Sequence, residues 1–260
     1  MSGLVSRSEP LMGTIVTIAT VGGHDDAVTQ AFEWFREVEA RCSRFKPDSE
    51  LSRLSATVNQ AVPVSELVFE SLRFALHVAE ASGGALNPIV GGATFRDISI
   101  DQRAKTVTLL RPLQLDLGAV AKGLAVDLAA RELDPVQNFS IDAGGDLYLG
   151  GKNDDGDDWV VGIRHPRKDH AIIEVVRVTN VAVCTSGDYE RGQHILEPAT
   201  QTPASSLASA TVIAPTAMLA DAASTAAFVM GPAEGIAFCR RIGVTAILYT
   251  PDLERHASHD

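Results

Sequence analysis

The sequence predicts an α+β fold, with largely antiparallel sheets packed with helices in a single domain spanning residues 1–260. The order of the elements is also compatible with two α/β subregions. Three observations carry this reading. Short strand-like pieces follow one another through the second half, separated by Gly, Asp, Asn and Pro turns, a spacing that suits antiparallel pairing. Strands and helices come in blocks rather than in strict alternation, which argues against a parallel, doubly wound sheet. The length of 260 residues, 45% of them hydrophobic, is enough to bury a core without disulfide or metal staples.

Alternation over Gly13–Thr20 predicts the first strand. Asp25 and Asp26 precede a helix through AVTQAFEWFREVEARCSRF, in which Ala31, Phe32, Phe35 and Val38 form the core stripe and Glu39 interrupts it. Ser65 can cap the free N–H groups of the next helix, ELVFESLRFALHVAEAS, and Gly83-Gly84 stop it. A β segment over 104–116 leads through Gly118 into the alanine-rich helix AVAKGLAVDLAARELD, which ends before Pro135. Strands then follow at Phe139–Asp142, Leu147–Leu149, Trp159–Arg164, Ile172–Val178, Val181–Cys184, Leu207–Ile213 and Val244–Tyr249. One helix begins after Thr216 and another lies around Ala233–Ile242. The acidic run NDDGDDW has calcium-loop composition without the terminal glutamate spacing, and reads as a solvated hairpin. The tail LERHASHD reads as a mobile polar terminus.

Charge narrows the partners. With 22 Lys+Arg against 33 Asp+Glu, the net charge is −11. A nucleic-acid backbone or an anionic membrane needs a basic surface, so neither is expected as a partner. Cys42, Cys184 and Cys239 are widely spaced with no CxxC pair, which suits buried thiols in a reducing cytoplasm. The first twenty residues lack an export leader, and no run is expected to reach the roughly 18 apolar residues of a membrane span.

Several constellations could carry chemistry. Asp221 and Thr225, four residues apart in a helix with Ser224 beside them, place hard oxygen ligands on one face, as Mg²⁺ prefers. The bland alternative is a solvated surface acid above a core threonine. Gly144-Gly145 follow a strand and could bring backbone N–H groups to a pyrophosphate, or could simply make a tight turn. Asp116 and Lys122 flank a helix entrance, where the dipole favours anions; alternatively, they are a cap and an exposed lysine. His194, in a loop, could be a general base, a hydrogen-bond donor or a structural histidine.

Taken in chain order, the segments LMGT, SRFKPDSELSRL, GGALNPIVG, LDLGAVAKGLAVD, DAGGDLYLGG, TSGDYER, HILEP and LADAASTAAFVMG resemble the ApbE family of flavin transferases over nearly the whole chain. The resemblance implies an ApbE-like, T-fold-related architecture and a Mg²⁺-dependent enzyme. It would bind FAD as substrate, transfer FMN to a Thr or Ser hydroxyl of an acceptor flavoprotein, and release AMP. By motif, Met12 and Phe45 would line the flavin pocket, Asp116 and Lys122 would contact FAD, and Ile195 would lie against it. The backbone at Gly144 and Gly145 would help hold the pyrophosphate. Asp221 and Thr225, with Ser224 and the Ala119 carbonyl, would hold the metal, and His194 would activate the acceptor. The sequence departs from the family pattern at Glu197 and Gln201, where Asp and Gly are usual, and at Asn87 and Ile89, where Asp and Thr are usual. Two other activities stay open: FAD pyrophosphatase, yielding free FMN and AMP, and non-catalytic FAD binding.

Overall fold

The chain, a computed structural model, is described over residues 3–189, 195–198 and 200–259. Its elements run β1 (Leu4–Leu11), β2 (Thr14–Val21), α1 (Asp25–Cys42), α2 (Glu50–Ser55), β3 (Val62–Pro63), α3 (Glu66–Ala81), β4 (Ile89–Val90), β5 (Ile98–Asp101), β6 (Thr106–Leu109), β7 (Gln114–Leu115) and α4 (Ala121–Leu133). The second half adds β8 (Phe139–Ala143), β9 (Asp146–Gly150), β10 (Trp159–Arg164), β11 (Ile172–Val178), β12 (Val181–Gly187), β13 (Ser209–Ala214), α5 (Ala217–Ile242), β14 (Thr245–Tyr249) and β15 (Arg255–Ala257). The organising element is an eight-stranded sheet in the order β1-β2-β8-β9-β12-β13-β14-β15. Every neighbouring pair in it is antiparallel, as the block pattern predicts.

Strand alternation divides this sheet into two faces. On one face, Val16, Ile18, Ile141, Ala182, Cys184, Ala210, Val212, Ala246 and Leu248 join the main core with the helices. On the other, Leu149 and Val183 meet Trp159 and Val178 of the β10–β11 hairpin, while Ile247 and Tyr249 meet Ile163. The stripe of α1 buries Val28, Ala31, Phe32, Phe35 and Val38, and Glu39 is only half-buried, as the spacing requires. Ser65 caps α3 by accepting from the Val68 N–H, and Gly83 and Gly84, both at positive φ, end it.

Four expectations change. The N-terminal segment is a full edge strand, β1; its residues are mostly exposed, so it carries none of the apolar alternation that marks β2. The short α2, β3, β4 and β5 are too brief for a periodicity to show, and the β segment expected over 104–116 divides into β6 and β7. The tail is not loose: β15 pairs with β14, and the buried Ser258 Oγ accepts from the Ala246 N–H at 2.8 Å. Finally, α5 has the length of a membrane span, although it holds the two helices read from sequence: its backbone breaks at Gly231 (φ 81°), and Pro232 opens the second helix. By length and composition it could cross a membrane, contrary to the reading that no run is long enough. Its apolar window is 61% buried, however, and it packs on β12, β13, β14 and α4 as a core helix. The acidic run 153–159 makes a turn in which Asn153 Oδ1 accepts from the Asp155 and Asp157 N–H groups; it joins β9 to β10, which lie in different sheets.

Candidate active site

The helix-covered face of the sheet carries the polar cluster. Asp146, the first residue of β9, stands opposite Cys184 of β12, and Ser186 lies two residues further along the same face. Above them sit the first turn of α4, with Lys122, and the first turns of α5, with Asp221, Ser224 and Thr225. The two helices are locked together at close range. A Cβ on Gly123 would fall 2.5 Å from Met218 Cα, so only glycine permits this approach. Asp127, one turn further along α4, accepts from the first two N–H groups of α5, Ala217 at 2.6 Å and Met218 at 3.0 Å. That cap satisfies donors that a helix start leaves orphaned.

Lys122 is neither exposed nor free. Its ammonium pairs with Asp146, whose side chain is 3% exposed. Burial lowers the Lys122 pKa, but the charges of Asp146 and Asp221 overcome it and hold the lysine protonated well above its usual range. Asp146 is thus a site residue that the motifs did not single out. Its one sequence signal is an acid placed directly after a Gly-Gly turn. The Cys184 thiol beside it is pushed far up by burial and by the same two carboxylates, so it stays protonated and acts as a buried apolar group.

Asp221 is 7% exposed and Ser224 fully buried, which rules out the solvated-acid alternative. The Ser224 hydroxyl donates to the Asp221 carbonyl at 2.9 Å. Ser186 Oγ lies 2.9 Å from Ser224 Oγ and 3.2 Å from Thr225 Oγ1. Gly144 and Gly145 form the two-residue β8–β9 turn at positive φ, and the Gly145 N–H is donated to Asp142 Oδ1 at 2.9 Å. They therefore supply a tight turn whose Gly145 donor is already committed. A Cβ at Gly144 would run into Thr14 Oγ1, so this turn seats against the β1–β2 turn at Met12-Gly13. A cavity of 520 Å³ opens beside Met12, lined also by Leu11, Ile15 and Glu39.

Asp116 does not cap α4. It accepts from the Gly118 N–H at 2.9 Å and lies 3.0 Å from Arg44 Nε. The Arg44 guanidinium sits 4.3 Å from the centre of the Phe45 ring, and Phe45 is 78% exposed, an aromatic face turned outward. Ala119 lies half-buried in the turn before α4, and Ile195 packs at the edge of the main core. His194 lies outside the described residues.

Fold and site together define an α+β class in which the helix-covered face of an antiparallel sheet gathers one lysine, two carboxylates and a row of hydroxyls. The solved flavin transferase ApbE of Vibrio cholerae superimposes with a TM-score of 0.91 at 26% identity, over 100% of this chain and 98% of that one. The ApbE protein of Thermotoga maritima gives 0.90 at 25% identity, over 98% and 97%. Among curated relatives, the FAD:protein FMN transferase of Treponema pallidum is 31% identical over 97% of this chain and 86% of its own. That of Haemophilus influenzae is 30% identical over 75% and 70%. The ApbE family model matches residues 12–95 and 92–248. The chain belongs to the ApbE family.

Proposed function

We propose that this protein is a FAD:protein FMN transferase that uses Mg²⁺ to move FMN from FAD onto a Thr or Ser hydroxyl of an acceptor flavoprotein, with release of AMP. The observation that carries the reading is the cluster of Asp221, Thr225, Ser186 and the Lys122–Asp146 pair where the starts of α4 and α5 meet the sheet. No three His, Cys, Asp or Glu side chains gather among the described residues. A single carboxylate with neutral oxygens around it suits Mg²⁺, which keeps several waters and takes phosphate oxygens as further ligands. Asp221 and Thr225, with the Ala119 carbonyl and Ser224, would hold it; bound there, it neutralises charge on the pyrophosphate.

The chain's own residues do the rest. Phe45 offers a face for the flavin ring, with Met12 and Ile195 as apolar neighbours. Asp116 orients the ligand at the entrance to α4, and Lys122 supplies a fixed positive charge in a net-acidic protein. In the reaction the acceptor oxygen bonds to the FMN phosphorus, the bond to the bridging oxygen breaks, and AMP leaves with that oxygen. The acceptor proton passes to a base, for which we propose His194. Three buried thiols without a disulfide support a reducing, cytoplasmic setting.

Mass spectrometry tests this: a native flavoprotein acceptor incubated with the protein, FAD and Mg²⁺ should gain one FMN and yield one AMP per FMN. Free FMN and AMP without an acceptor would indicate a pyrophosphatase instead. Bound FAD with no AMP under any condition would indicate a binding protein.

A further inference from the structure

The hydroxyls beneath α5 can be assigned proton by proton. A serine or threonine hydroxyl has one proton to donate and two lone pairs to accept with. Ser224 Oγ donates to the Asp221 carbonyl at 2.9 Å, and since a carbonyl has no proton, the direction of this bond is fixed. The Ser224 proton being spent, the 2.9 Å contact between Ser186 and Ser224 is a donation from Ser186. With the Ser186 proton also spent, the 3.2 Å contact between Thr225 and Ser186 is a donation from Thr225. The chain therefore runs one way, from Thr225 to Ser186 to Ser224 to the Asp221 carbonyl. Ser224 is fully buried and Ser186 is 9% exposed, while Thr225 is half-buried at the open end of the chain, where a cation can reach it.

We propose that Ser186, at the end of β12, is a positioning residue that fixes the Thr225 hydroxyl with its proton committed to the sheet and both of its lone pairs left for a cation shared with Asp221. This inference rests on the Mg²⁺ reading above. A hydroxyl that can rotate freely presents its proton to a neighbouring carboxylate, and a cation must first turn it round. One held in this way meets the cation ready-oriented, the service that outer-shell hydrogen bonds give to metal ligands. The same chain ties the Asp221 backbone to β12, so one serine orients both ends of the pair.

The test uses Mn²⁺ alone as probe, titrated against the wild-type protein and its variants with free Mn²⁺ read by electron paramagnetic resonance, and FAD binding without a divalent cation measured by flavin fluorescence. Ser186→Ala should weaken Mn²⁺ binding about ten-fold and leave cation-free FAD binding unchanged. Ser186→Thr, which restores a hydroxyl, should recover most of the affinity. Ser186→Cys, whose thiol is a weak acceptor, should behave like the alanine variant and carries the test if alanine impairs folding. Wild-type Mn²⁺ affinity in both the alanine and cysteine variants overturns the role of Ser186 while the cation site stands. If the wild type binds no Mn²⁺, or Asp221→Ala binds it equally well, the cation site itself falls and the inference falls with it.

Discussion

Lys122 and Asp146 show how much one residue's meaning depends on its partner. A buried ion pair is weak evidence of stability, but breaking one leaves a charge with neither water nor counter-ion. Lys122→Met should therefore cost about 3–5 kcal/mol in urea unfolding, and the double variant Lys122→Met/Asp146→Leu should cost less than the single. An equal or larger loss in the double would show that the pair is not what holds Asp146. Phe45 makes the opposite case. At 78% exposure it contributes little to the core, so Phe45→Ala should leave the melting temperature unchanged and weaken FAD binding about ten-fold, as losing a stacked aromatic worth roughly 1.4 kcal/mol would. Unchanged FAD affinity would remove Phe45 from the flavin pocket. Asp221 and Thr225 were legible because their spacing within one helix puts them on one face, and Lys122 because it follows Gly118 at a helix entrance. Asp146 and Ser186 were not, because each meets the site across strands or through a helix from a distant part of the chain.

The decisive contact between elements is α4 on α5. Gly123 allows the two backbones to touch, and the atoms a Cβ would meet, Met218 Cα at 2.5 Å and the Ala217 carbonyl at 2.6 Å, are backbone atoms that cannot rotate aside. Although alanine is the better helix former, Gly123→Ala should destabilise the protein by about 1–3 kcal/mol through overpacking and reduce AMP release by shifting Asp221 away from Lys122. A fully active, equally stable variant would show that the two helices can part without consequence. Asp127 holds the same junction. Burial pushes its carboxyl up to about 6, against the pull of the two N–H bonds it accepts, while in an unfolded chain the value is about 3.9. Between those values the folded protein keeps a proton that the unfolded chain has lost, so this contribution to stability falls as pH rises through that window. Asp127→Asn cannot titrate. The stability of the wild type relative to this variant, measured by urea unfolding, should decline from about pH 4 to about pH 6; a flat difference would mean that the carboxyl is not shifted. Helix starts were readable here wherever a serine or threonine capped them, as at Ser65 and Thr216. The start of α5 has a second cap, Asp127, that belongs to another helix, and no local pattern could announce it.

At the scale of the molecule, the eight-stranded sheet brings residues from four separate stretches of sequence under one pair of helices. A site assembled this way should be stabilised when filled. FAD with Mg²⁺ at about 100 times its dissociation constant should add about 2.7 kcal/mol, seen as a rise in melting temperature. A chelator, or Asp221→Ala, should remove the Mg²⁺-dependent part. An equal rise with and without the divalent cation would separate FAD binding from the metal. By itself the sequence determined the α+β class, the antiparallel pairing, most helix and strand positions, and the metal-suited spacing of Asp221 and Thr225, because these depend on periodicity, caps and turns within a few residues. Only the tertiary structure decided that Lys122 serves Asp146, that the exposed β1 and the tail strand β15 form the two edges of the main sheet, and that Ser186 orders the hydroxyls beneath α5. Those facts depend on which distant backbone stretches lie side by side, and strand order is set by packing the whole core at once rather than by any local run of residues.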